Sequence, residues 1–356
     1  MRILVIANLY PSQQDPTFGI FVKHFVDDLR EYRPDSIVEL CVIKGRTKTI
    51  WKKIWNYIVF FSTILYKLLF HEYDLVYNHF VTHSSLPIRL CCRVRNIPLA
   101  LNFHGEDLIP QTQIQKLLIK TINPLVHYAR LVVVPSKFFK NELLARFHNI
   151  RSEKVLVSAS AGLPEEFFIT HKIIDNRTLK IGMVSRIVNG KGWEKFIACI
   201  DRLINEGIKV EGYIAGTGDK VDILKESIVN KSYIHYVGSM QHDMLPDFYS
   251  SLDLFVFPTE MQESLGLVGL EAMASHTPVI ASKIGGIQDY LIDDVNGYFC
   301  SPGDVLSLYD SIMKYICLND KKKKQMGKAA YRTACHYSSD RISSSLNNTL
   351  WRIFQK

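Results

Sequence analysis

Residues 252–282, LDLFVFPTEMQESLGLVGLEAMASHTPVIAS, contain one full repeat of the pattern that decides the fold. The apolar run at 254–257 is short and unbroken, and Pro258 ends it, which is typical of a strand buried on both faces. A helical segment follows at 267–274, and a second apolar run at 279–281. Parallel strands need a crossover connection, so this order predicts a parallel β-α-β unit.

The same alternation extends along the chain in both directions. Further strands are predicted at 3–7, 37–42, 75–77, 99–103 and 131–134, and then at 179–184, 209–215 and 234–237. Helical segments between the strands include 21–31, 137–147, 193–206 and 306–317. Short buried strands separated by helices predict parallel sheets that are covered on both faces.

The length of 356 residues suits two such domains, each large enough to bury its own core. We predict an α/β protein with two doubly wound, Rossmann-like domains facing a central cleft, joined near 162–177. The N-terminal domain is expected over 1–165, the C-terminal domain over 166–337, and a last helix over 338–356 that folds back toward the first domain. Ligands of such sheets bind at the carboxyl ends of the strands, which places the site in the cleft.

Composition excludes several protein classes. A hydrophobic fraction of 47% and a charged fraction of 22% are those of a folded globular protein, and exclude a disordered or collagen-like chain. The seven cysteines form no CxxC pair, and their number is odd. Reduced thiols in a cytoplasmic protein are the simplest interpretation.

Charge is distributed unevenly. Residues 1–170 carry 21 Lys and Arg against 14 Asp and Glu, whereas the rest of the chain carries 22 against 21. A basic first half indicates a polyanionic partner or simply a soluble basic surface. No recognisable nucleic-acid motif accompanies the charge, so an anionic membrane surface is the expected partner and nucleic acid is not.

Residues 50–70, IWKKIWNYIVFFSTILYKLLF, are the most apolar segment. The uninterrupted part, 58–65, is shorter than the ~20 residues that a membrane span needs, and Lys52, Lys53 and Lys67 lie outside it. The segment predicts an amphipathic helix, either at a membrane interface or in the core with one wet side. The expected location is therefore the cytoplasm, peripheral on the inner face of the cell membrane.

Two glutamates, Glu263 and Glu271, have seven residues between them. In a continuous helix they would lie roughly 12 Å apart along the axis, too far to share a proton. The spacing favours binding of a long polyhydroxylated ligand at two places, because carboxylates accept hydrogen bonds from paired hydroxyls. Backbone N–H groups at the predicted helix start offer an anion site between them; these belong to Ser264, Leu265, Gly266 and Leu267. A carboxylate, an anion site and a second carboxylate match the hexose, the diphosphate and the ribose of a nucleotide-diphosphate sugar.

Two cations, Arg186 and Lys191, lie on the loop after the predicted strand at 179–184. At the carboxyl edge of a sheet they would neutralise a diphosphate, the alternative being a surface salt-bridging pair. A Gly-rich turn, AGTGD at 215–219, follows the next strand. There the backbone of Gly216 is expected to approach the nucleotide.

The first half offers two candidates. His104, in NFHGEDL, follows a predicted strand and lies beside Gly105 and Asp107. A lone histidine is usually structural, but here it could donate to a sugar hydroxyl or polarise the reacting centre. Gly19, in YPSQQDPTFGIFVKHF, opens a helix, and its N–H could approach a phosphate where a side chain would block it.

These motifs together resemble the GT-B-fold glycosyltransferases of the large family-4-like retaining group. The resemblance covers essentially the whole chain and rests on Gly19, His104-Gly105-x-Asp107, VVPSKFF around Ser136, Arg186 with Lys191-Gly192, the AGTGD turn, Glu263-x7-Glu271 and GGI at 285–287. One departure concerns the first loop. Many members carry Gly-Gly there, whereas Phe18 precedes Gly19 in this chain.

The resemblance implies roles for individual residues. Glu271 would bind the ribose hydroxyls and Glu263 the donor sugar, with His104 beside that sugar. Arg186 and Lys191 would hold the diphosphate, and attack would come from the face that the diphosphate leaves. The departing phosphate would take the acceptor proton, with His104 as base a less favoured alternative.

The sequence thus predicts a retaining hexosyltransferase that acts on a lipid-linked saccharide in bacterial surface polysaccharide assembly. The donor would be a UDP- or GDP-sugar, with no cofactor. Because no Asp-x-Asp or His cluster with ligand spacing occurs in the predicted cleft, metal independence is expected. The alternatives are a nucleotide-sugar epimerase of the same fold and a degenerate sugar-binding module.

Overall fold

A computed structural model describes residues 1–47, 49–105, 107–109, 113–159, 161–168 and 178–355. These residues form two compact units, one made of 1–162 with 340–356 and one made of 163–339. Much of the predicted junction, at 162–177, lies outside the described residues.

The first unit is a parallel sheet with helices on both faces. Its strands are β1 (Arg2–Tyr10), β2 (Ile37–Lys44), β3 (Leu75–His79), β4 (Leu99–Asn102), β5 (Leu131–Val134) and β6 (Val155–Val157). Its helices are α1 (Ile20–Tyr32), α2 (Ile50–Phe70), α3 (Val81–Cys91), α4 (Gln113–Tyr128) and α5 (Lys137–Arg146). The six strands lie in the order β2-β1-β3-β4-β5-β6, so β1 has a neighbour on each side and the winding reverses between β1 and β3.

The second unit has the same architecture with a different strand order. Its strands are β7 (Leu179–Val184), β8 (Val210–Ala215), β9 (Ile234–Gly238), β10 (Leu254–Phe257), β11 (Val279–Ser282) and β12 (Gly297–Cys300). Its helices are α6 (Trp193–Asn205), α7 (Val221–Ile228), α8 (Leu245–Ser251), α9 (Leu267–Ala274), α10 (Val305–Ile316) and α11 (Asp320–Ala334). The order β12-β11-β10-β7-β8-β9 makes β7 and β10 neighbours although two strands separate them in the chain. Two parallel, doubly wound sheets confirm the predicted fold class.

Alternation along β1 divides the core of the first unit between the two sheet faces. Leu4 and Ile6 belong to the apolar cluster that α2 to α5 cover, whereas Ile3, Val5 and Ala7 belong to the cluster on the other face. The pattern follows from the pleat, since successive side chains of a strand point to opposite faces.

The last helix, α12 (Ser339–Phe354), closes the second face of the first sheet. Leu346, Leu350 and Phe354 recur every fourth residue, so they share one helix face, and all three are buried in the cluster that contains Ile3 and Val5. The segment 340–356 therefore belongs structurally to the first unit although it ends the chain.

Helix α2 covers the sheet with one face and exposes large apolar side chains on the other. Phe60, Ile64 and Leu68 are buried in the core. Trp51 and Trp55 are 77% and 63% exposed. The buried face confirms the prediction of a core helix with one exposed side, and that exposed side is unusually apolar. Location at a membrane interface stays a prediction. Among the described residues, no helix combines the length and apolarity needed to cross a bilayer.

Candidate functional site

The neighbouring strands β7 and β10 mark the point where the winding of the second sheet reverses. Each strand runs at its carboxyl end into a loop, 185–192 after β7 and 258–266 after β10. The N–H of Glu260 donates to the carbonyl of Gly190 over 2.8 Å. A Cβ on Gly192 would lie 2.0 Å from the Pro258 carbonyl oxygen, so only glycine allows the two loops to pack this closely. Crevices at such reversal points are where sheets of this kind bind ligands.

Lys191 and Glu263 meet across these two loops. Lys191 Nζ lies 2.6 Å from Glu263 Oε1, and Thr259 Oγ1 donates to the same oxygen over 3.0 Å. The two charged side chains are only 11% and 15% exposed. Their attraction is therefore screened less than that of a surface pair. Within the described residues, no group hydrogen-bonds Glu263 Oε2, which leaves this oxygen able to accept from a ligand.

The start of α9 lies immediately after Glu263. Gly266 precedes the helix with a φ of 78°, a conformation that favours glycine, and a Cβ there would come within 2.9 Å of the Phe257 ring. The first N–H groups of α9 have no partner within the helix, so this end is suited to an anion. Ser264, Leu265 and Leu267 flank this helix start, as the sequence predicted.

The Gly-Gly pair at 285–286 supports the loop that carries Glu263. Gly286 N donates to the Glu263 carbonyl oxygen over 2.9 Å. A Cβ on Gly285 would lie 2.5 Å from that same oxygen, and one on Gly286 would lie 2.3 Å from the Ser264 carbonyl. Side chains at these two positions would displace the loop, so the two glycines are needed for the loop to pack in the position that Glu263 occupies.

Glu271 lies inside α9 and has a different environment from Glu263. It is 8% exposed, and the buried Tyr249 hydroxyl donates to its Oε2 over 2.8 Å. Burial raises the pKa of Glu271, while the hydrogen bond from Tyr249 opposes that rise. The Tyr249 bond leaves Oε1 to accept from a ligand.

Arg186 and Gly216 flank the site without joining its hydrogen-bond network. Arg186 is exposed, and its guanidinium has no partner among the described residues. Gly216 packs against the loop after β7, where a Cβ would lie 1.8 Å from the Ser185 carbonyl oxygen. The Gly-rich turn is tied to that loop by the Ile187 N–H, which donates to Thr217 over 2.9 Å. Of the two predicted cations, only Lys191 is in direct contact with a predicted glutamate.

In the first unit, His104 lies at the carboxyl edge of the sheet and is paired with a second histidine. Its Nε2 lies 3.0 Å from His79 Nδ1, and its ring stacks on Phe80 with 4.4 Å between centroids. Burial lowers the pKa of His104 to about 3. The imidazole is therefore neutral at neutral pH, and a group so weakly basic is poorly suited to general-base catalysis.

Asp107 and Gly19, two further motif residues of the first unit, have structural roles. Asp107 accepts from the N–H groups of His104 and Gly105 over 2.9 and 3.1 Å, while burial raises its pKa to about 7. Gly19 precedes α1 with a φ of 73°, and a Cβ there would lie 2.3 Å from Leu9 Cδ1. Glycine is thus required at this position by packing as well as by backbone conformation.

Sequence reasoning missed three residues that position the predicted ones, namely Thr259, Tyr249 and His79. Two of them carried a usable signal. Thr259 lies two residues after the end of β10, and His79 is the last residue of β3, so both lie at carboxyl edges. Tyr249 gave no signal, because its contact with Glu271 depends on how α8 packs against α9.

Comparisons with known proteins concern the family and the fold. Residues 165–333 match the family model "Glycosyl transferases group 1", and residues 19–157 match "Glycosyltransferase Family 4". An uncharacterized glycosyltransferase of Methanocaldococcus jannaschii is 31% identical over 65% of this chain and 63% of its own length. The capsular polysaccharide biosynthesis glycosyltransferase CapM of Staphylococcus aureus is 29% identical over 44% of this chain and 40% of its own length. Each match thus spans less than two thirds of the relative.

Among solved structures, the Anabaena protein HepE in complex with UDP and glucose superimposes with a TM-score of 0.74. That alignment covers 99% of this chain and 100% of the Anabaena chain at 19% identity. At this identity the likeness concerns the fold.

Proposed function

Because the chain belongs to the GT-B glycosyltransferases, with a family model matching each half, we propose that it is a retaining hexosyltransferase. It transfers a hexose from a nucleotide-diphosphate sugar to a saccharide acceptor. The observation that carries the proposal is the buried contact of Lys191 with Glu263 beside the start of α9. This contact brings a cation, a carboxylate and free helix N–H groups to the point where a doubly wound sheet binds ligands.

The second unit would bind the donor. Lys191 and the first turn of α9 hold the diphosphate, and Arg186, which is exposed on the same loop, adds a second cation. Glu271 accepts from the ribose hydroxyls through Oε1, and Glu263 accepts from the hexose through Oε2. The Anabaena structure that contains UDP and glucose supports a uridine nucleotide among the candidate donors.

The chemistry requires little acid or base from the protein. The bond from the hexose C1 to the diphosphate oxygen breaks, and an acceptor oxygen bonds to C1 from the same face. The acceptor proton passes to the departing phosphate, which leaves as a nucleoside diphosphate. Negative charge grows on that group, so Lys191, Arg186 and the start of α9 stabilise the transition state more than the bound donor. These protein cations would supply the charge stabilisation that a divalent metal can provide to the leaving group. The reaction is therefore proposed to be metal-independent.

His104 contributes as a neutral group. With its pKa lowered to about 3, it can exchange hydrogen bonds with the transferred hexose but carries no charge at neutral pH. His79, bonded to its Nε2, fixes the ring orientation.

The acceptor is proposed to be lipid-linked and held at an anionic membrane surface. The outer face of α2 supplies the support, because Trp51, Trp55 and Phe70 are 77%, 63% and 72% exposed, and Lys52 and Lys53 lie beside them. Aromatic and basic side chains on one helix are typical of interfacial binding. The similarity to a capsular polysaccharide enzyme favours a role in bacterial surface polysaccharide assembly.

The function is tested by incubating the protein with a panel of UDP- and GDP-hexoses, with and without extracts of lipid-linked saccharides. The expected result is a nucleoside diphosphate and a glycosylated product, both dependent on acceptor, with the donor's anomeric configuration kept. Isomerised donor without transfer would indicate an epimerase instead. Donor binding without turnover on any acceptor would indicate a sugar-binding module.

A further inference from the structure

A cavity of about 510 Å³ opens between the C-terminal ends of α4 and α5 in the first unit. Each of these helices returns the chain to the start of the next parallel strand, so the cavity lies near the amino edge of the sheet, where β5 and β6 begin. His104 lies at the opposite, carboxyl edge. The volume is within the usual range of small-molecule sites, and the location is separate from the edge assigned to glycosyl transfer.

The lining of this cavity combines an apolar base with a polar rim. Ile119 and Phe147 form the base and are buried members of the core cluster of this unit. Among the described lining residues none is a carboxylate, so no negative side chain opposes an anion there. The rim consists of exposed side chains, two cations, two imidazoles and two amides: Lys120, Arg146, His127, His148, Asn123 and Asn149.

The segment around the cavity is strongly basic. Residues 113–154 contain eight Lys and Arg against two Glu, a formal charge of +6, whereas residues 1–112 contain 13 against 10, a formal charge of +3. Most of the charge excess of the first half therefore belongs to the elements that surround the cavity. Cations concentrated around a concave surface attract anions to it.

Stabilisation of backbone carbonyls explains some of these cations but not the two on the rim. Lys154 Nζ donates to the His127 carbonyl oxygen over 2.6 Å, at the end of α4, and Lys140 Nζ donates to two further carbonyls. A cation near a helix C-terminus is favourable for this reason. Lys120 lies in the middle of α4, away from that end. Neither Lys120 nor Arg146 has an ion-pair or hydrogen-bond partner within the part of the chain that the structure describes.

We propose that this cavity binds an organic phosphate, that is, a phosphate group joined to an apolar group. Lys120 and Arg146 donate to the phosphate oxygens, and the imidazoles and amides of the rim offer further donors. The apolar group covers Ile119 and Phe147 and loses its contact with water. A neutral ligand would leave the two cations without a partner, and inorganic phosphate would leave the apolar base uncovered, so each should bind more weakly. The inference does not depend on the proposed transfer reaction.

Two variants and one control test the site. Lys120→Ala combined with Arg146→Ala removes both rim cations. Asn123→Trp fills the cavity and leaves the cations in place. Lys116→Ala combined with Arg151→Ala is the matched control, because it removes the same charge from the same segment at exposed positions outside the lining. Every replaced side chain is exposed, so all variants should unfold at the wild-type temperature.

The probes are phenyl phosphate, dihexanoyl phosphatidylglycerol below its micelle concentration, inorganic phosphate and benzyl alcohol, each titrated calorimetrically into the whole protein. The wild type should bind phenyl phosphate, the phosphatidylglycerol or both at least tenfold more tightly than the other two probes. Binding of phenyl phosphate alone assigns a soluble ligand, and binding of the phosphatidylglycerol alone assigns a lipid headgroup. Binding of both shows that a phosphate joined to an apolar group is sufficient.

The variants then locate the binding. The rim-cation variant and Asn123→Trp should each weaken it tenfold or more, whereas the control should match the wild type. Lys191→Ala, in the second unit, should retain it, which separates the cavity from the donor site.

No binding by the wild type, unchanged binding in both cavity variants, an equal loss in the control, or a loss in Lys191→Ala would each overturn the site. None of these results bears on the proposed function, because no measurement here uses glycosyl transfer. Conversely, a protein that transferred no hexose would still bind the phosphate probe in this cavity.

Discussion

Replacing Lys191 by alanine should damage stability and turnover through separable effects. In the wild type the Glu263 side chain is only 15% exposed, and the variant leaves it Thr259 as its one remaining side-chain partner among the described residues. Stranding one partner of a buried ion pair costs about 3–5 kcal/mol. Because Thr259 still donates and Glu263 keeps some solvent, we expect the lower end, ~3 kcal/mol, which corresponds to roughly a hundredfold in the folding equilibrium constant.

The effect on turnover arises from the leaving group. Removal of one preorganised charge-stabilising donor costs about 10²–10³ in kcat in comparable sites. Lys191→Ala should therefore lower kcat by about this factor and change the acceptor KM far less. Adding Glu263→Gln to it removes the stranded charge, so most of the lost stability should return while turnover stays low.

The assay combines calorimetric unfolding with steady-state kinetics on the wild type, both variants and a control. Lys195→Ala is the matched control, because Lys195 pairs with Glu260 at 3.7 Å on the same side of the sheet but is 32% exposed. The control should remain within about 0.5 kcal/mol of the wild type, as is usual for surface changes. If Lys191→Ala behaves like Lys195→Ala in both measurements, the buried pair does not have the role assigned to it.

The remaining predictions concern the donor, protons, metal and membrane. Glu271→Ala should weaken nucleoside diphosphate binding by ~1.5–3 kcal/mol, because the ribose loses a charged acceptor; unchanged calorimetric affinity would exclude the ribose role. Wild-type donor affinity should fall as the pH drops through the raised pKa of Glu271, and Glu271→Gln should abolish that dependence. Burial lowers the His104 pKa to about 3, so His104 should not titrate near pH 6.5. The pH–rate profiles of the wild type and of His104→Gln should therefore have the same shape in that range. EDTA should leave the rate unchanged, and a loss that Mn²⁺ or Mg²⁺ restores would refute metal independence. Vesicles with anionic lipid should bind the protein less at high salt, and less after Lys52→Glu with Lys53→Glu; equal binding to neutral vesicles, or none, would reject electrostatic docking.

Local elements of the fold were predictable because their signals are local. The strand at 254–257 and the helix at 267–274 coincide with β10 and α9, since an unbroken apolar run and the glycine before a helix act within a few residues. Strands β6 and β12 were missed. They have only three and four residues, and β12 begins at Gly297, where a Cβ would lie 1.8 Å from the Val279 carbonyl oxygen. Close packing against a neighbour, rather than β propensity, selects that glycine.

The pairing within the candidate site could not be predicted in the same way. Lys191 and Glu263 are 72 positions apart, and they meet only because β10 lies beside β7. Strand order is a property of the whole sheet, and no short segment encodes it. For the same reason the sequence assigned Arg186 and Lys191 the same role, whereas of these two residues the structure gives a carboxylate partner only to Lys191.

The two units place different chemistry at equivalent positions, and this difference bears on which ligand each one binds. In both sheets the winding reverses between two neighbouring parallel strands, and polar side chains collect at the carboxyl edge there. In the second unit these side chains include a buried ion pair and a helix start, which suit a charged diphosphate. In the first unit they are the amides of Asn8 and Asn78, the phenol of Tyr57 and the imidazole of His83, whose pKa is lowered by burial. Variants at the first reversal point should therefore change acceptor binding without changing nucleoside diphosphate affinity. Replacing Lys191 at the second should do the opposite, so a substitution at either point that altered both affinities equally would contradict this division.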